Sequence, residues 1–114
     1  MDSIRKGDIF QVNFDPTVGS EVQKTRPGVI VSNNINNAHS PIVSISPITS
    51  NIKKVYSFEV LIPMDATGLT KPSKIMVNQT RAVDKIRLIQ RLGILSDEII
   101  NQLDHALKLH YDLS

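Results

Sequence analysis

Ile9-Phe10-Gln11-Val12-Asn13-Phe14 sets Phe10, Val12 and Phe14 on one side of the chain, with polar Gln11 and Asn13 between them. Successive side chains of an extended strand point to opposite faces, so this alternation predicts a half-buried β-strand with those three residues inward. Asp15-Pro16 ends it, because proline cannot donate to a strand ladder. A polar stretch over 15–26 then leads into Pro27-Gly28-Val29-Ile30-Val31-Ser32, a short run rich in β-branched residues that reads as a second strand. The connection between the two strands, about twelve residues, exceeds the usual hairpin loop, and connections of that length often carry function.

The same period continues downstream. Asn33-Asn34-Ile35-Asn36-Asn37 is turn-forming, since asparagine tolerates left-handed backbone and bonds to its own main chain. Residues 42–48 read as a third strand with Val43 and Ile45 inward. Phe58, Val60 and Ile62 alternate with Glu59 and Leu61 to give a fourth, followed by a turn at Asp65-Ala66-Thr67-Gly68. Residues 74–77 make a fifth, 78–84 a connection, and 87–92 either a sixth strand or a short helix. Ser96-Asp97-Glu98 starts a helix: the hydroxyl caps free N–H groups and the acids suit the positive end of the dipole. Ile99, Ile100, Leu103, Ala106 and Leu107 carry its apolar stripe to about Tyr111. Five or six short strands and one helix predict a mainly β (α+β) fold, a small bent antiparallel barrel with a C-terminal amphipathic helix on its flank.

The chain has 114 residues, 40% hydrophobic and 21% charged, enough for one domain (1–114) with a modest core. It has no cysteine, which removes disulfides, Cys-ligated zinc and a thiolate nucleophile. No apolar run approaches the roughly 20 residues needed to span a bilayer, and the first seven residues lack a signal peptide's hydrophobic stretch, so a cytoplasmic location without membrane contact is expected. The net charge is only +2, but residues 20–91 hold ten Lys/Arg against Glu21, Glu59, Asp65 and Asp84, whereas residues 96–114 hold four acids against Lys108 alone. A basic body with an acidic end suits a polyanion-binding face, or is simply an unevenly charged solvated surface.

Three polar segments are candidates for chemistry. In Gly19-Ser20-Glu21-Val22-Gln23-Lys24-Thr25-Arg26-Pro27, Arg26 stands beside a rigid proline, and its planar fork of donors matches phosphate oxygens. Ser46-Pro47-Ile48-Thr49-Ser50 puts hydroxyls at a strand end, where such groups also satisfy turn backbone. Asn78-Gln79-Thr80-Arg81-Ala82-Val83-Asp84 offers donors and acceptors able to read base edges, or a structural Arg81–Asp84 pair with Gln79 bracing a loop. His105 and His110 are five apart, about 140° around a helix, and form no dyad. His39 falls in the Asn-rich turn. No metal-ligand spacing, phosphate-binding glycine loop or nucleophile elbow is present, so no metal or cofactor is expected.

In these segments the sequence resembles the MazF/PemK family of toxin–antitoxin endoribonucleases. The resemblance runs through Lys6-Gly7-Asp8-Ile9, Asp15-Pro16-Thr17-Val18-Gly19-Ser20-Glu21, Thr25-Arg26-Pro27, Ser40-Pro41 and Ile48-Thr49-Ser50. It continues in Gln79-Thr80-Arg81-Ala82-Val83-Asp84-Lys85 and Leu95-Ser96-Asp97-Glu98. It implies an SH3-like barrel, a homodimer, single-stranded RNA (mRNA) as substrate, and a cognate antitoxin whose acidic C-terminal segment competes for the basic surface. By the same resemblance Arg26 and Thr49 are the catalytic pair and Ser20 and Glu21 are catalytic or loop residues, while Lys24, Ser50, Asn78, Gln79 and Arg81 bind RNA. Attack by the 2′-hydroxyl on the adjacent phosphate would need no metal. A guanidinium keeps its proton, so Arg26 suits anion stabilisation better than proton abstraction. Val22-Gln23-Lys24 replaces the Gln-Gly-Gly of many members, and Asn78 replaces an acid. The alternative is a non-catalytic barrel like the gyrase-poisoning CcdB toxins, whose Trp-Gly-Ile ending differs from Tyr111-Asp112-Leu113-Ser114 here; a catalytically silent family member is a third reading.

Overall fold

A computed structural model describes residues 3–21, 24–63 and 68–114. Val22 and Gln23 of the first loop, and Asp65, Ala66 and Thr67 of the expected turn, lie outside the described residues. Seven strands and two helices follow in the order β1 Asp8–Asn13, β2 Thr25–Ile30, α1 Asn34–His39, β3 Ile42–Thr49, β4 Val60–Ile62, β5 Ser73–Ile75, β6 Arg81–Asp84, β7 Leu88–Ile94 and α2 Asp97–His110. Single 3-10 turns, Val77–Gln79 and Lys85–Arg87, flank β6.

All pairings are antiparallel, in the path β4-β5-β3-β2-β1-β7 with β6 also on β3. The ladder does not close on itself among the described residues, since β4 and β7 end the path; the expected barrel is a strongly bent sheet wrapped around its core. β3 belongs to both halves. Its first part pairs with β6 from Ile42 to Ile45, its last part with β5 at Ile48 and Thr49, and its other edge with β2 throughout 45–47. Pro47 sits where β3 exchanges β6 for β5, a place that needs no N–H from it on that edge.

Alternation puts the core on both faces. Phe10, Val12 and Phe14 point inward as expected, with Ile30, Val43, Ile45, Val83 and Leu88. Ile9, Val29, Ile48 and Ile75 point the other way into a second cluster, which α2 covers with Ile99, Leu103 and Ala106. β1 is therefore covered on both faces at Ile9 and Phe10, and one-sided only towards exposed Asn13. Ser96 caps α2 by accepting from the Ile99 N–H at 3.3 Å. Among the described residues no helix is long and apolar enough to cross a membrane.

Three elements depart from the sequence reading. The asparagine run is helical rather than a simple turn: Asn33 Oδ1 accepts from the Asn36 N–H at 2.8 Å, and buried Asn37 is held by Ser32 and by Lys85 Nζ on its carbonyl. The 78–84 connection contains β6, concealed because only Val83 of Arg81-Ala82-Val83-Asp84 is buried. The ambiguous 87–92 segment is a strand, preceded by a 3-10 turn that Asp84 caps through the Ile86 N–H.

Gly28 lies where β2 crosses this core. A Cβ there would stand 3.0 Å from Ile45 Cγ1 and 3.2 Å from Phe14 Cζ, both fully buried side chains with little room to give. Gly28→Ala is expected to lower stability by about 1–3 kcal/mol through overpacking, a drop of several degrees in thermal midpoint for a chain of this size. Calorimetry showing an unchanged midpoint would contradict this packing.

Candidate functional site

The register of the sheet brings the site together. Gly28 pairs with Pro47, and Ile30 with Ile45; continued two residues further, that register sets Arg26 opposite Thr49. On the far edge of β3, Thr49 pairs with Lys74. Cross-strand partners share a face, so Arg26, Thr49 and Lys74 form a row across β2, β3 and β5. The row continues the face that buries Ile30, Ile45 and Phe14, past the end of the apolar cluster. All three residues line one open cleft of about 440 Å³, together with Ser20, Glu21 and Lys24. Ser50 joins Arg26 and Thr49 in an adjoining cleft of about 250 Å³.

Thr49 Oγ1 accepts from the Asn51 N–H at 3.2 Å. The strand-end hydroxyl thus serves turn backbone, as such groups commonly do, and as the acceptor in that bond it keeps its own hydrogen to donate. Arg26 is half-buried, with its strand position fixed by pairing to Val12.

A third cleft, about 380 Å³, shares Ser20 and Glu21 and adds Asn78, Gln79 and Arg81 over a floor of Phe14 and Pro47. The polar interruption at 78–80 is the 3-10 turn between β5 and β6. Its bend is fixed by the Gln79 N–H on the Met76 carbonyl at 3.0 Å and the Thr80 hydroxyl on the Val77 carbonyl at 2.6 Å. Arg81 does not pair with Asp84: its Nη1 donates to the Phe14 carbonyl at 3.0 Å, and Asp84 is occupied with Ile86.

The long loop over 15–24 is built between these clefts. At its root the Phe14 N–H donates to the Lys24 carbonyl at 3.0 Å, and the Lys24 N–H donates to Asp15 Oδ1 at 2.9 Å, with Lys24 itself at φ 67°. Arg87 Nη1 donates to the Asn13 carbonyl at 3.2 Å and also to that of Asp15. Near its tip Glu21 Oε1 accepts the Val18 N–H at 2.6 Å, which orients the carboxylate while it lines both clefts.

All nine residues singled out from the sequence therefore line these three contiguous clefts. Lys74 was missed, and a lysine between Ser73 and Ile75 gives no sequence signal of burial; with Asn51 and Met76 it completes the cleft around Thr49. None of the three histidines lines them; His110 instead packs against Tyr111 and Phe58. Among the described residues no group of three or more His, Asp or Glu side chains converges in a metal-binding arrangement.

A family model described as PemK-like, MazF-like toxin of type II toxin-antitoxin system matches residues 5–111. The sequence is 43% identical to the endoribonuclease MazF9 of Mycobacterium tuberculosis, over 96% of this chain and 98% of that one. The fold is similar to that of MazF from Deinococcus radiodurans, with a TM-score of 0.86 at 21% identity over 99% and 100% of the two chains. It is also similar to a mycobacterial endoribonuclease solved with its cognate antitoxin, with a TM-score of 0.81 at 19% identity over 96% of each.

The loop's anchorage can be tested directly. Arg81→Met is expected to speed hydrogen exchange at the Phe14 and Lys24 amides at least tenfold, with a fall of only a few degrees in thermal midpoint. Unchanged exchange would mean that Arg87 and the Phe14–Lys24 and Lys24–Asp15 bonds hold the root without Arg81.

Proposed function

Because this chain belongs to the family of PemK-like, MazF-like toxins of type II toxin-antitoxin systems, we propose that residues 1–114 act as one toxin domain that cuts single-stranded RNA in the cytoplasm and so stops translation. The observation that carries this reading is the convergence of Arg26 and Thr49 in a single polar cleft. In the reaction the ribose 2′-oxygen forms a bond to the adjacent phosphorus and gives up its proton, and the bond from phosphorus to the 5′-oxygen breaks as that oxygen takes up a proton. The products are a 2′,3′-cyclic phosphate and a 5′-hydroxyl, and no water or metal is consumed. Charge accumulates on the non-bridging oxygens in the transition state. Arg26 supplies fixed donors to that charge and the Thr49 hydroxyl a further one, an electrostatic contribution that grows as the anion forms. Glu21 is the carboxylate lining the same cleft and the candidate proton acceptor.

Lys24, Ser50, Asn78, Gln79 and Arg81 extend the RNA path on either side of this pair. Unpaired RNA exposes base edges, and the amides of Asn78 and Gln79 carry both donors and acceptors to read them, which makes cleavage sequence-specific. The protein works as a homodimer, and an acidic antitoxin segment occupies the same basic clefts. The curated relative's name, an endoribonuclease, supports the activity, and the mycobacterial structure with its cognate antitoxin supports the partner.

The purified protein is expected to cut a mixed single-stranded RNA in EDTA, leaving 5′-hydroxyl ends. Arg26→Ala should lower the rate by a hundredfold or more while keeping most of the RNA affinity. RNA left intact, or cut only after metal is added, would overturn this mechanism, and intact RNA would favour the non-enzymatic barrel. RNA affinity should also fall steeply between 50 and 200 mM salt, because each neutralised phosphate releases a counterion; a single-stranded site contributes a log–log slope of about −0.7 per contact. A flat response would remove the basic path.

A further inference from the structure

We propose that Lys74 is a phosphate-binding residue of the cleavage site, held in place by Glu59; this rests on the ribonuclease reading above. Lys74 is 8% exposed, yet it lines the Arg26–Thr49 cleft. Its ammonium donates to Glu59 Oε1 at 2.9 Å and to the Lys54 carbonyl at 2.6 Å. An ammonium has three N–H groups; among the described residues two are engaged by hydrogen bonds, the charge also lying 5.8 Å from the centre of the Tyr56 ring, which leaves one N–H for a ligand. Glu59 is as deeply placed, with its side chain 5% exposed, and the oxygen that receives Lys74 also accepts the Tyr56 N–H at 2.9 Å.

Burying such a pair contributes little to stability compared with apolar side chains of the same volume. A buried lysine that lines the cleft beside Arg26 and Thr49, with Glu59 bracing it from behind, is more informative as a positioned charge. The geometry fits that role. Lys74 pairs with Thr49 on one side of β3 as Arg26 stands opposite it on the other, so the two cations flank the threonine hydroxyl. Neighbouring strands lie about 4.8 Å apart, and these long side chains can converge from both sides on one phosphate above Thr49. Arg26 meets that phosphate with a fork of donors and Lys74 with a point charge.

Removing the lysine alone would leave Glu59 buried and unpaired, so the deciding variant is Lys74→Met with Glu59→Gln, which removes both charges and leaves an amide oxygen for the Tyr56 N–H. Its folding is checked by thermal midpoint and circular dichroism. Two readouts are taken: kcat/KM on a cleaved RNA, and the salt dependence of binding to a 2′-O-methyl oligonucleotide that cannot react. Lys108→Met, on the outer turn of α2, is the control. The double variant should lose tenfold or more in kcat/KM and about one phosphate contact from the log–log slope, with Lys74→Arg retaining the slope. A folded double variant with wild-type slope and wild-type kcat/KM would overturn the assignment and leave the pair a structural one. If the wild-type protein binds RNA but does not cut it, the ribonuclease reading fails while the slope still decides Lys74. If it does not bind RNA, both fall.

Discussion

The pairing of β3 along both edges is the constraint on which the remaining structure depends. Its register with β2 buries Ile45 beside Ile30 and Gly28, and its registers with β6 and β5 bury Val43 and Ile48 on opposite faces. Continued two residues beyond Gly28, the β2 register sets Thr49 between Arg26 and Lys74. A slip of one residue would exchange the two faces of the strand, bringing Ile48 into the polar cleft and turning Thr49 towards the apolar cluster beneath α2. Site geometry is therefore enforced by the cost of unpacking two hydrophobic clusters, which is far larger than any bond within the cleft.

Around that row the basic residues divide by task. Arg81 and Arg87 donate to main-chain carbonyls at the root of the 15–24 loop. Lys85 holds the carbonyl of Asn37, and Arg91 pairs with buried Asp8 while lying 4.9 Å from the centre of the Phe10 ring. Lys85, Arg87 and Arg91 fasten the termini of elements to the sheet, Lys24, Arg26 and Lys74 face one cleft, and Arg81 does both, anchoring the loop root while lining the neighbouring cleft. The excess positive charge in residues 20–91 is thus partly structural, and a count of charges overstates the surface offered to a polyanion.

Period-two alternation made β1 and β3 legible, together with the inward set Phe10, Val12, Phe14, Val43 and Ile45, and the Ser96 cap with its stripe of Ile99, Leu103 and Ala106 made α2 legible. β6 was not, because a strand with one buried side chain and two charged ones has no alternation to read. The asparagine run was not, because the same side-chain acceptors that form turns also cap helices. Arg26 and Thr49 were recognisable through their family resemblance, but 23 positions of sequence separate them and nothing in either segment alone specifies their register. Lys74 was invisible for a related reason: its burial depends on Glu59, fifteen residues away on the far side of β4.

The two walls of the cleft are held in different ways. On the β5 side, one oxygen of Glu59 gathers the Lys74 ammonium and the Tyr56 N–H, Lys74 returns a bond to the Lys54 carbonyl, and Lys54 lies 4.6 Å above the Tyr56 ring, which stacks on Phe58 at 5.2 Å. That wall is cross-linked before any ligand arrives. On the loop side, anchorage is concentrated at 13–15 and 24, while Val18, Gly19, Ser20 and Glu21 are exposed and joined mainly to each other. A donor fixed in advance stabilises developing charge without reorganising, so the cross-linked wall suits the phosphate of the proposed reaction. A wall whose described residues are tied mainly at the root adapts more readily to the shape of what enters. On the ribonuclease reading proposed above, electrostatic stabilisation falls to the sheet and accommodation of sequence to the loop.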